Sequence, residues 1–136
     1  MRNADKTITL YNYFTDVETG YDTCQRLQID GAAAFVQTQV NVSKEGLASA
    51  SVYTVRIPET SAKAQYVTPK KFLELTDKSG YFTLAKGDKI VLGISEDETA
   101  TPAYLESKFG NDQVMTITGV TDNRDKREPH WKVVGE

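Results

Sequence analysis

Alternation with a period of two runs through most of this chain, and it constrains the fold more than any other feature. Lys6 to Phe14 (KTITLYNYF) sets Ile8 and Leu10 against Thr7, Thr9, Tyr11 and Tyr13. An aliphatic row backed by a threonine and tyrosine row is the pattern of a half-buried strand. Asp16 to Gly20 reads as a turn. Asp22 to Ile29 alternates more weakly, and Asp30-Gly31 predicts a hairpin turn into Ala34 to Val42. Ser43 to Ser49 (SKEGLAS) reads as a loop, and Ser51 to Ile57 as a strand stopped by Pro58. Tyr81 to Leu84 and Lys89 to Ile94 read as strands around the turn Lys86-Gly87-Asp88. Val114 to Val120 and His130 to Val134 form a last pair, joined by the charged segment Asp122 to Glu128.

Two short helices interrupt this pattern. Thr68-Pro69 and Thr101-Pro102 each place a hydroxyl at the N-cap and proline at the first helical position, where a missing N–H costs nothing. The first helix is expected to reach Leu75. The second is expected to reach Phe109, where Gly110 stops it. With seven or eight short strands and no repeat, the fold class is mainly β: a small antiparallel β-barrel or sandwich with one or two short helices. No shift of composition marks a boundary, so residues 1–136 are expected to form a single barrel-like domain.

Composition removes several kinds of chemistry. The formal charge of −3 and the sequence pI of about 5.2 suit duplex binding poorly, since that depends on neutralising phosphates. A single cysteine, Cys24, forms no internal disulfide, and a single histidine, His130, builds no His-rich metal site. The longest apolar stretch, Gly31 to Val36, falls far short of the roughly 20 residues that span a bilayer. The first residues lack a hydrophobic run of signal-peptide type, so a cytosolic product is expected.

The remaining chemistry-bearing residues each have a plain structural reading. His130 begins a strand beside Trp131 and needs a nucleophile, an acid or a metal before it can act as a base. Cys24 lies in a strand without a CxxC or a neighbouring histidine, as a buried structural thiol does. Glu96-Asp97-Glu98 lacks EF-hand spacing and reads as a solvated loop. No glycine-rich phosphate loop is present. Catalytic residues, cofactor-binding residues and metal ligands are therefore all expected to be absent. The tyrosines at 11, 13, 21, 53, 66, 81 and 104 invite a reading as a base-stacking barrel, but the electrostatic funnel such a barrel needs is missing. The mixed-sign segment Asp122, Asn123, Arg124, Asp125, Lys126, Arg127, Glu128 is either an exposed hairpin loop or a contact surface for another subunit, with His130 at its edge.

Several segments carry a resemblance: DKTITLYNYF (5–14), VYTVRIP (52–58), KGDKI (86–90), VMTITGVTDN (114–123) and PHWKVVG (129–135). Together they resemble small phage and prophage structural proteins of the head–tail joining type. The resemblance implies a head-closure, head–tail adaptor or minor capsid-associated role, exercised through oligomeric protein–protein contacts. Head-closure proteins are small β-barrels that assemble as rings, seal packaged DNA and dock the tail, with a loop projecting into the lumen as a gate. Ser43, Lys44, Glu45, Gly46 and Leu47 are one candidate projecting loop, and Asp122 to Glu128 is the other. The implied partners are further copies of the chain in a ring and neighbouring connector or tail proteins. Packaged DNA would be a non-specific neighbour, and no membrane is involved. The implied location is the host bacterial cytoplasm during assembly, then the virion. The alternative is an oligonucleotide- or ligand-binding barrel of OB type.

Overall fold

A computed structural model describes residues 5–15, 20–43, 46–75, 78, 80–110 and 113–136; the stretches 35–43 and 46–51 are described through their backbone. The strands are β1 (Lys6–Thr15), β2 (Asp22–Ser43), β3 (Gly46–Pro58), β4 (Gln65–Tyr66), β5 (Tyr81–Phe82), β6 (Lys89–Val91), β7 (Val114–Asp122) and β8 (His130–Gly135). Helix α1 (Pro69–Glu74) lies between β4 and β5, and α2 (Pro102–Phe109) between β6 and β7. Six strands pair antiparallel in the closed order β1-β2-β3-β8-β7-β6, which leaves the barrel without an edge. The two-residue strands β4 and β5 pair with each other in parallel.

The alternation read along the sequence sorts residues between the inside and the outside of this ring. Ile8, Leu10, Ile29, Val55, Ile57, Ile90, Met115, Ile117 and Val133 fill the interior with Phe82 and Trp131. Phe82 and Trp131 meet edge to face with ring centroids 5.5 Å apart, and Tyr66 leans on both rings. Both Thr-Pro starts cap as their chemistry requires. Thr68 Oγ1 accepts from the Lys71 amide, and Thr101 Oγ1 accepts from the Tyr104 amide at 3.2 Å. Gly110, at φ 84°, closes α2.

One turn and part of one loop expected from the sequence are strand instead. Asp30-Gly31 lies inside β2, because its capacity for positive φ serves a bulge rather than a hairpin. Gly31 adopts φ 88°, and the register slips from Thr7↔Asp30 to Lys6↔Ala32 across it. At this point β2 stops pairing with β1 and begins to pair with β3, so the glycine turns the barrel's corner. Within the segment Ser43 to Ser49, expected as a loop, the described residues are strand: pairing continues through Val40↔Ser49 and Val42↔Leu47 to Ser43↔Gly46, and Lys44 and Glu45 lie outside the described residues. Small polar residues are weak strand formers, and here the partner strand overrides local preference. A third difference lies at Tyr81 to Ile94. β5 pairs with β4 rather than with β6, and Ile94 stands exposed beyond the end of β6.

The outer face of β1 is also covered. The segment from Gly93 to Phe109 crosses it as a strap, and Tyr11, Cys24, Val91, Ala100, Leu105 and Val114 form a second apolar cluster beneath. Tyr11 is fully buried, and its hydroxyl meets Ser95 Oγ at 2.6 Å and donates to the Asp97 carbonyl at 2.7 Å. Thr9 Oγ1 donates to the Gly93 carbonyl and accepts from the Ser95 amide, so strap and strand interlock through polar groups as well as apolar ones. Lys89 reaches Glu106 of α2 at 2.9 Å, tying the helix to β6.

Candidate functional site

The register fixes where the two candidate contact segments stand. Along β3, Pro58 faces His130 and Tyr53 faces Gly135. The β7–β8 loop therefore lies at the C-terminal end of β3. The continuation of β2 and β3 leaves the ring past the other end. From Phe35 to Ser43, β2 pairs only with β3, and from Gly46 to Val52, β3 pairs only with β2, among the described residues. Gln37 to Ser43 opposite Gly46 to Val52, seven residues at about 3.3 Å each, make a two-stranded ribbon that extends about 20 Å beyond the barrel. Ser43, Gly46 and Leu47 belong to its distal end; Lys44 and Glu45 lie outside the described residues.

The charged loop is more ordered than its composition suggests. Asn123 and His130 exchange backbone hydrogen bonds at its base, and Lys126 N–H donates to the Asn123 carbonyl to form a turn. His130 Nδ1 lies 2.8 Å from the Glu128 carbonyl and Nε2 lies 3.3 Å from Asn123 Nδ2. The Nδ1–H tautomer satisfies both contacts, so the imidazole closes the hairpin. Arg124 grips Asp122 through Nε and Nη2, the latter at 2.7 Å. Its guanidinium also stacks over Tyr66 and Trp131, 5.1 and 5.3 Å from the ring centres. Hydrogen bonding from Arg124 holds the Asp122 carboxyl below the usual carboxylate range. Burial, reinforced by the nearby Asp122 charge, pushes the Tyr66 hydroxyl up.

Asp125, Lys126, Arg127 and Glu128 are exposed; Arg124 is exposed too, but its guanidinium is engaged by Asp122 and the two rings. The sequence offers no sign of this, because Tyr66 reaches the site from a strand distant along the chain. Glu59 is also missed by sequence reasoning. Its amide donates to the Pro129 carbonyl, and it lines an open hollow of about 530 Å³ with Asp122, Arg124 and Asp125. The lining carries three carboxylates, Glu59, Asp122 and Asp125, against one guanidinium, Arg124. The hollow therefore favours a cationic group on whatever docks there.

A second cleft, of about 430 Å³, opens between the start of β2 and the strap, lined by Tyr13, Asp22, Thr23, Cys24 and Thr99 to Pro102. Burial pushes both the Cys24 thiol and the Tyr13 hydroxyl up, so both stay protonated at neutral pH. The thiol exchanges hydrogen bonds with the Ala100 backbone, and Tyr13 donates to the Ala100 carbonyl. These groups anchor the strap. Among the described residues no group of three or more His, Cys, Asp or Glu side chains is placed to hold a metal ion. No helix among them is long and apolar enough to cross a membrane. Of the tyrosines, Tyr11 and Tyr53 are buried, and only Tyr21 and Tyr104 are strongly exposed.

No curated protein and no solved structure matches this chain. A family model does, over residues 3–136: the chain belongs to the family of unknown function DUF6751.

Proposed function

We propose that this protein is a structural component of a tailed phage or prophage virion, a head-closure or head–tail adaptor protein that acts through oligomeric protein–protein contacts. The observation that carries this is the placement of the ribbon and the charged hairpin past opposite ends of β3. An adaptor has to engage one neighbour on the head side and another on the tail side. A small closed barrel has no edge to offer, so its contacts fall to whatever projects from its ends. The charged hairpin, with its acidic hollow and its exposed Lys126 and Arg127, suits a contact in which complementarity selects one partner and one register. Its work is done by docking, during assembly in the host cytoplasm and then in the particle.

The test is made in the phage or prophage that encodes the chain. Lys126→Glu combined with Arg127→Glu reverses two exposed charges and leaves the Asp122–Arg124 clamp in place. Surface changes of this kind cost less than about 0.5 kcal/mol of stability. Electron microscopy of lysates is expected to show tailless heads beside free tails. Normal infectious particles would contradict the assignment of this hairpin to the joint.

A further inference from the structure

We infer that the ribbon formed by residues 35–43 and 46–52 is an intersubunit clasp, which pairs edge to edge with the ribbon of a second copy of the chain. It rests on the oligomeric part of the proposed function and names the element that builds the oligomer. Beyond Ala32 on one strand and before Tyr53 on the other, no described strand pairs with either outer edge of the ribbon. An isolated two-stranded ribbon is marginal in water, and its open edges offer rows of N–H and C=O groups to another strand.

Proteins that keep such edges free place charges or prolines along them. This ribbon has neither: from Phe35 to Val52 the only charged residues are Lys44 and Glu45, and there is no proline. The same feature selects the occupant. Copies of a chain with net charge −3 repel one another. The ribbon is a long uncharged projection on which two copies meet without that repulsion. Because both edges are open, each copy can accept one neighbour and offer itself to the next, as a ring requires.

The experiment is size-exclusion chromatography with light scattering over a dilution series, on the full chain and two variants. In the first variant, Gln37 to Val52 is replaced by Asn-Gly, a two-residue turn that closes the hairpin at the Val36↔Tyr53 pair. The second, Gln39→Lys, places one charge on an intact ribbon. The full chain is expected to form a multimer that dissociates on dilution, and both variants are expected to lose it. Circular dichroism establishes that each variant keeps its β-structure. If the shortened chain does not fold, Gln39→Lys decides. A folded variant that keeps the multimer would overturn the clasp while leaving ring assembly through other contacts standing. A full chain that stays monomeric at every concentration would overturn the clasp and the oligomeric reading together.

Discussion

Two stretches of this molecule share period-two alternation and end in opposite circumstances. The outer row of β1, Thr7 to Tyr13, mixes threonine with tyrosine and is locked beneath the strap. Tyr11 is fully buried with two partners for its hydroxyl, and Thr9 is bonded in both directions. The ribbon mixes valine, threonine, glutamine and asparagine, yet no described element lies along its edges. Period-two alternation specifies a strand and its two faces, but not what covers them. Covering is decided by distant segments, here Gly93 to Phe109 for β1. One stretch has been spent on folding, and the other is left for a partner.

Breaking the covered side gives the largest expected effect. Tyr11→Ala removes a buried aromatic ring and strands the Ser95 hydroxyl, and is expected to destabilise the protein by about 4 kcal/mol in denaturant unfolding. Net stability is only about 5–15 kcal/mol, so this variant would approach the unfolding threshold. A loss below about 1 kcal/mol would mean that the strap is not part of the cooperative unit.

A smaller effect lies at the junction of barrel and strap. Asp88 is buried, with Oδ1 accepting from the Tyr13 amide and Oδ2 from Asn12 Nδ2 at 2.8 Å. Asn12 in turn clamps the Thr83 backbone. Asp88→Asn keeps the shape but turns one acceptor into a donor that faces a donor, at an expected cost of about 2 kcal/mol. Burial raises the Asp88 carboxyl above its ordinary value of 3.8. A raised acid contributes stability below its unfolded pKa, and that contribution is lost as pH rises through the folded pKa. The native chain's advantage over the non-titrating variant should therefore shrink as pH rises through that window. An advantage that grows with pH would show the carboxylate to be stabilised where it sits.

Legibility in the sequence followed the same division. The two helices were readable to within a residue because Thr-Pro acts locally, through one hydroxyl and one absent N–H. Mainly-β architecture followed from alternation. Asp30-Gly31 reads as a turn yet forms a bulge, because positive φ serves both and only the pairing partners distinguish the two. The charged hairpin was visible from its composition between two strands. The clamp of Arg124 on Tyr66 and Trp131 was not, since Tyr66 comes from a strand distant along the chain. The ribbon was hidden behind Ser43 to Ser49, whose small polar residues carry no strand signal of their own.

The smallest perturbation, dilution alone, tests the division between committed and uncommitted strands most directly. Hydrogen exchange read by mass spectrometry compares barrel peptides covering Ile8 to Asn12 and Lys89 to Val91 with ribbon peptides covering residues 35–43 and 46–52, at low and high protein concentration. The expected result is slow exchange in the barrel at both concentrations. The ribbon should exchange fast when the protein is dilute and gain protection as it is concentrated. Ribbon amides as protected as the barrel in dilute solution, or unchanged by concentration, would contradict the account.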